Sequence, residues 1–306
     1  MSIDRADFDY VRRLVREHAA VVLEADKAYL AELRLVPLAR QEGVDSISAL
    51  VKRMRRQSFN RLHERAVEAL VTTETSFFRD HHPFEALRVS VLPDLLKQRT
   101  RENPLTIWCA ACARGQEPYS IALLLREYFR ESADVRLIAS DLSEEMLAAA
   151  RAGRYSQLEI DRGLPPALLK SYFRKQGATW QIDETLRRMV EFRKINLAAA
   201  WPPLPEMDVI FMRNVLIYFD VETKKTILDR VHRLLRPDGY LFFGNAETTI
   251  NLDDRFERVD YGKASCYRLR EQPARADRRA PFQHPGADED APPRSTTPHK
   301  QKARSV

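Results

Sequence analysis

Beyond about residue 105 the chain alternates short apolar runs with amphipathic stretches, and this alternation restricts the fold more than any other feature. "TIWCA" and "VRLIASD" read as strands around the helix "PYSIALLLREYFRE". "MDVIFMRN" and "GYLFFGNAE" read as two more around "VETKKTILDRVHRLLRP". Strands joined through helices line up in parallel. Two further β-like runs, "FERVDYG" and "SCYRLR", finish the sheet as an antiparallel hairpin. The expected architecture is α/β, with a Rossmann-like, mostly parallel sheet closed by that C-terminal hairpin.

Residues 1–72 show no strand pattern. Phe8, Val11, Leu14 and Val15 fall on one helical stripe, and Tyr29, Leu30 and Leu33 on another. Asp45 or Ser46 is placed to cap a helix running through "ISALVKRMRRQSFNRLHERAVEAL". We therefore expect a helical domain over 1–72 and an α/β domain over 73–270. Within the latter, "TWQID" and "RRMVEFRKIN" follow a short helix near "PPALLKSYFRK", which predicts a small inserted β-subdomain over 155–195. From Glu271 onward Pro, Arg, Asp, Ser and Thr dominate, and 271–306 is expected to be a disordered tail.

A composition of 44% hydrophobic and 31% charged residues over 306 positions suits a soluble globular protein. No apolar run approaches the roughly 18 to 20 residues needed to cross a bilayer. The opening "MSIDRADFDY" lacks a hydrophobic signal core, so a cytoplasmic protein is expected. Cys109, Cys112 and Cys266 cannot close a disulfide framework. Cys109 and Cys112 form a C-x-x-C, but at the end of an apolar strand rather than at a helix start, and a zinc site would want a second pair. They read as small residues filling a tight turn, and no metal is expected. A net charge of +6 permits an acidic partner without demanding nucleic acid.

In an open α/β sheet the ligand lies beyond the carboxyl ends of the strands, where the strand order reverses. Here those ends are the 110–117 loop, Asp141, and Arg213 with Asn214. The strand-loop-helix "LTIWCAACARGQEPYSIALLL" has only Gly115 in its turn, followed by Glu117 and Pro118. A carboxylate there repels a pyrophosphate and attracts an ammonium. Asp141, ending the second strand, is placed to accept both hydroxyls of an adenosine ribose. The rival role for Asp141, capping the next helix, is already offered to Ser143. S-adenosylmethionine carries both a ribose and an ammonium.

The blocks "TETSFFRD" (73–80), "ARGQEPYSIA" (113–122), "ASDLSEEMLAAARAGRY" (139–155), "INL" (195–197), "MRNVLIYF" (212–219) and "GYLFFGNAE" (239–247) resemble, in order and spacing, the chemotaxis receptor methyltransferases called CheR. The resemblance covers about residues 8–270. It implies a helical N-terminal domain on a class I S-adenosylmethionine-dependent methyltransferase domain, which methylates glutamate side chains of chemoreceptors and leaves S-adenosylhomocysteine. The implied cofactor contacts are Thr75, Arg79, Glu117, Asp141, Asn196, Leu197, Arg213 and Asn214. Thr73 stands where the family usually has Asn, and a hydroxyl replaces only part of an amide's hydrogen bonding. Each of these has a plainer reading. Arg79 could pair with Asp80, Asn196 and Asn214 could satisfy turn backbone, and Tyr218 could be a core aromatic beside Phe219.

A glutamate acceptor is ionised at neutral pH, with a reference pKa of about 4.3, so attack on a sulfonium methyl needs no general base. Neither His81 nor His82 has to be catalytic. Arg79 and Tyr218 are the candidates for orienting the acceptor. The helical cytoplasmic region of the receptors would dock on a basic face, with Arg34 and Arg40 in "KAYLAELRLVPLARQEG" and Arg53 and Arg56 on the next helix. Some family members grip a receptor C-terminal pentapeptide with a glycine-rich extension of the β-subdomain. Between Phe173 and Phe192 this chain has Gly177 alone, which predicts recruitment through the helical domain without that tether. The expected protein is a monomer that neither binds nucleic acid nor inserts into a membrane. Two rivals stay open: a nucleic-acid methyltransferase, prompted by "KRMRRQ", and a non-catalytic S-adenosylmethionine sensor.

Overall fold

A computed structural model describes residues 3–100, 102–129 and 135–270. The tail expected over 271–306 lies outside the described residues.

Four helices open the chain: α1 (Arg5–Ala19), α2 (Ala28–Gln41), α3 (Ile47–Arg55) and α4 (Arg61–Leu70). The α1 stripe of Phe8, Val11, Leu14 and Val15 is buried as its spacing requires. Ser46 caps α3, its Oγ accepting from the Ala49 N–H at 3.0 Å. The single helix expected from residue 46 to residue 70 is instead two. Asn60 interrupts it because its side chain accepts from the Leu62 N–H at 3.0 Å and starts a new helix in a capping box with His63. The stripe expected on α2 is also wrong. Tyr29 and Leu33 are 59% and 70% exposed, whereas Ala31, Leu35, Leu38 and Ala39, spaced i, i+4, i+7 and i+8, form the buried face.

The main sheet holds β1 (Leu105–Ala110), β2 (Val135–Asp141), β6 (Val190–Lys194), β7 (Met207–Phe211), β8 (Leu235–Phe242), β9 (Phe256–Tyr261) and β10 (Ala264–Leu269). Their order is β6-β2-β1-β7-β8-β10-β9. The first five are mutually parallel, and β10 runs antiparallel to both β8 and β9. This is the α/β architecture expected, with its hairpin at one edge. β1 and β7 are buried along their whole length, as strands covered by helices on both faces must be.

The small antiparallel sheet has the order β3-β5-β4, from β3 (Arg154–Ser156), β4 (Phe173–Gln176) and β5 (Thr179–Ile182). "RRMVEFRKIN", expected in this subdomain, supplies β6 to the main sheet instead. Val190 lies opposite Leu137 on β2, and the Phe192 ring packs edge-on against Tyr119 at 5.9 Å, so burial against the sheet's own helix layer recruits the strand.

Candidate active site

The strand order reverses between β1 and β7, and a convergence of polar side chains lies just beyond their carboxyl ends. The 111–117 turn makes its bend mostly without glycine. Ala111 and Ala113 adopt φ of 57° and 48°, a left-handed conformation that costs an L-residue on the order of 1–2 kcal/mol. Two contacts hold it: Cys112 N–H donates to Ser140 O at 2.9 Å, and Ala113 N–H donates to Asp141 Oδ2 at 2.8 Å. Gly115, at φ 89°, is required by close packing, because a Cβ there would lie 3.0 Å from Ala150 Cβ and 3.2 Å from Tyr119. The single glycine thus serves the helix behind the turn and makes no phosphate cradle.

One cavity is lined by Thr75, Arg79, Glu117, Asp141, Asn196, Leu197, Arg213, Asn214 and Tyr218, drawn from five separate stretches of chain. Thr73 does not line this cavity. It faces a neighbouring groove with Leu33, Pro37 and Met146. Arg34 grips the backbone beside it, donating to Leu70 O at 2.6 Å and to Thr72 Oγ1 at 3.3 Å, which fixes how the segment enters the cavity. The sequence reading missed Ala19, Val21 and Thr72, through which the helical domain forms part of the cavity wall. The only local signal was the apolar "AAVVL" after α1. Val21 bridges Phe219, and Val22 N–H donates to Tyr218 O at 2.9 Å, so this linker is stitched to the active-site loop.

Glu117, in the first turn of the helix Gln116–Tyr128, accepts from Arg213 Nη1 at 3.0 Å through Oε2. Arg213 Nη2 reaches Arg79 O at 2.9 Å and Asp80 Oδ2 at 2.6 Å. Asp80 is therefore the partner of Arg213 and not of Arg79, whose Nη1 donates to Glu74 O at 3.0 Å. The Arg213 side chain is 1% exposed, and its Nε is a buried donor without a hydrogen-bond partner among the described residues. Two carboxylates, Glu117 and Asp80, thus flank one guanidinium. Burial pushes the Glu117 carboxyl up, and Arg213 partly pulls it back.

Asp141 is also raised by burial, against three backbone N–H contacts that lower it. Its Oδ1 accepts from Ser143 N–H at 2.9 Å, and Ser143 caps the helix Glu144–Ala152. The contacts from Ala113 and Ser143 leave the carboxylate with acceptor capacity for a ligand hydroxyl. Asn196 lines the cavity while holding α1, its Nδ2 donating to His18 O at 2.7 Å and its Oδ1 accepting from Ala198 N–H at 3.0 Å. Two buried carboxylates, Glu117 and Asp141, face one cavity, a lining that suits the ammonium and ribose hydroxyls of S-adenosylmethionine.

The family model described as CheR methyltransferase, SAM binding domain, matches residues 73–264, and that described as CheR methyltransferase, all-alpha domain, matches residues 6–71. The chain belongs to the CheR methyltransferase family. Chemotaxis protein methyltransferase 1 of Pseudomonas aeruginosa is 41% identical over 276 residues, covering 88% of this chain and 100% of the relative. Chemotaxis protein methyltransferase Cher2 of Pseudomonas putida is 37% identical over 276 residues with the same coverage, 88% and 100%. That of Vibrio parahaemolyticus is 34% identical over 275 residues, covering 88% and 99%. Like its family, this CheR chain takes S-adenosylmethionine as cofactor, and among its described residues no helix is long and apolar enough to cross a membrane.

The remaining CheR candidates separate by what they touch. Arg34 is tied to α4 and its exit, as above, and is no free docking group. Arg53 is shared with Glu42, with its Nη1 3.2 Å from Glu42 O and 3.4 Å from Glu42 Oε2. Arg40 and Arg56 are exposed, as is Lys52 beside Arg53. Cys109 and Cys112 are buried and free, and burial pushes both thiols well up, which suits turn filling. No cluster able to hold a metal ion occurs among the described residues.

Proposed function

We propose that this methyltransferase esterifies glutamate side chains in the helical cytoplasmic region of chemoreceptors, releasing S-adenosylhomocysteine. The observation that carries the reading is what lines the cavity: Arg79 and Tyr218 beside the cofactor carboxylates, and no histidine. An amine or hydroxyl acceptor needs a base to take its proton, whereas a carboxylate arrives already ionised. When bound, S-adenosylmethionine supplies a methyl group on a positively charged sulfur, which a carboxylate oxygen displaces in line. Glu117 would hold the ammonium and Asp141 the ribose. Arg79 and Tyr218 would orient the acceptor oxygen and replace part of its hydration, so alignment and desolvation carry the catalysis.

Receptor docking would use the exposed cations Arg40, Lys52 and Arg56 with part of Arg53, and α2 also exposes the apolar Tyr29 and Leu33. The turn between β4 and β5 is only Gly177-Ala178, with Gly177 at φ 60°. So short a loop, without a glycine-rich extension, supports recruitment without a receptor pentapeptide.

The test is incubation with radiolabelled cofactor and acidic receptor helices, followed by mild base. Methanol release marks a carboxyl ester. Label that resists base would favour nucleic-acid or amine methylation, a reading already disfavoured by "RNVLIYF" after β7, where base-amine methyltransferases carry D/N-P-P-Y/F. No label at all would indicate a sensor.

A further inference from the structure

The block "GNAE" (244–247) follows β8, and the function described above gives it no role. Its last residue, Glu247, is 8% exposed and turns its carboxylate toward the opposite strand end. Oε2 accepts from Asn214 N–H at 2.6 Å and from Gly244 N–H at 2.8 Å. Oε1 accepts from Val215 N–H at 2.8 Å and from Leu216 N–H at 2.7 Å. Three successive amides of the loop after β7 therefore converge on one side chain from a different strand.

Those amides belong to the segment that carries Arg213, Asn214 and Tyr218 into the cavity. Asn214 sits at φ 58°, in the left-handed region that Asn tolerates better than most L-residues. Gly244 closes the other side: a Cβ there would lie 2.5 Å from Asn214 Nδ2 and 3.0 Å from Asn214 N. A carboxylate is the one side-chain group that can accept four N–H donors and offer no donor in return.

We propose that Glu247 is a positioning residue for methyl transfer, fixing the 213–218 loop so that Tyr218 and Asn214 meet acceptor and cofactor in register. This inference rests on the receptor-methylation reading. Glu247→Gln puts an amide NH2 against two backbone N–H donors whichever way it turns. The expected result is a kcat at least tenfold lower, with the receptor KM within twofold of wild type, because docking lies on the helical domain. S-adenosylhomocysteine affinity should fall less than kcat, since Glu117 and Asp141 come from other elements of the fold. Glu247→Asp, which keeps an acceptor-only group, should recover part of the loss. Gly244→Ala, which leaves Glu247 intact but presses on Asn214, should reproduce the same split between kcat and KM.

A folded Glu247→Gln protein with wild-type kcat overturns the proposal, as does a loss that only tracks the unfolded fraction by circular dichroism. Should that variant not fold, Gly244→Ala decides by the same two criteria. The wild type measured alongside keeps the two ideas apart: if it fails to methylate receptors, the functional reading falls, whereas if variant and wild type are equally active, only the role of Glu247 falls.

Discussion

Glu117 Oε2 and Arg213 Nη1 meet at 3.0 Å in the buried wall of the cofactor cavity, joining the first turn after β1 to the end of β7 across the point where the strand order reverses. Among the described residues Glu117 Oε1 takes no hydrogen bond, and the residue faces the cavity. One oxygen is thus fixed, and in the proposed reading the other meets the ammonium of the cofactor.

That arrangement predicts a pH dependence. Only ionised Glu117 attracts an ammonium, and burial raises its pKa, so the protonated form persists to higher pH than for a free glutamate. Asp141 is raised for the same reason. S-adenosylhomocysteine affinity should therefore weaken as pH falls, beginning above the ordinary carboxylate range of about 4. Calorimetric titration across pH checks this. Glu117→Gln should bind at least tenfold more weakly at neutral pH and show a flatter profile.

Asp141→Ala should lose two hydrogen bonds to the ribose, each worth on the order of 1.5–3 kcal/mol for a charged acceptor. It should also lower the melting temperature, because Ala113 N–H and Ser143 N–H lose their acceptor. Wild-type affinity in a folded Asp141→Ala protein would remove the ribose assignment.

Arg34 and Arg56 should behave oppositely. Arg34→Ala removes the contacts to Leu70 and Thr72 and should reduce thermal stability. Charge reversal at Arg40 and Arg56 should leave stability nearly unchanged and slow receptor methylation several-fold at low salt, the difference shrinking as salt screens the charges.

All three cysteines are buried and free, and burial raises their thiols, that of Cys266 to about 12. A thiol reagent at pH 8 should find none of them reactive in the native protein and all of them after denaturation. Rapid native labelling of Cys109 or Cys112 would contradict the turn-filling role.

The parallel sheet was legible because apolar runs bounded by amphipathic stretches leave few other ways to bury a strand on both faces. Asp141 and Glu117 were legible for a related reason, since a strand end and a first helical turn fix where a side chain goes. Thr73 was not, because whether it or Thr75 enters the cavity depends on Arg34 holding the chain just before it, a contact 38 residues away in sequence. β6 was misplaced because an edge strand of a large sheet and a strand of a small one have the same local pattern. Tyr29 and Leu33 look like core on α2, yet Ala31 and Ala39, which allow closer helix packing, take the buried side. Glu247 was invisible because its partners are backbone amides, which carry no residue-type signature.

The decisive observable is the atom on which the methyl group ends up. Receptor incubated with this protein and S-adenosylmethionine, then digested and sequenced by tandem mass spectrometry without exposure to base, should carry methyl on glutamate side chains of its helical cytoplasmic region. Arg79→Ala should reduce that yield at saturating cofactor. Methyl found on lysine, on nucleic acid or nowhere, with folded protein that binds S-adenosylhomocysteine, would contradict it.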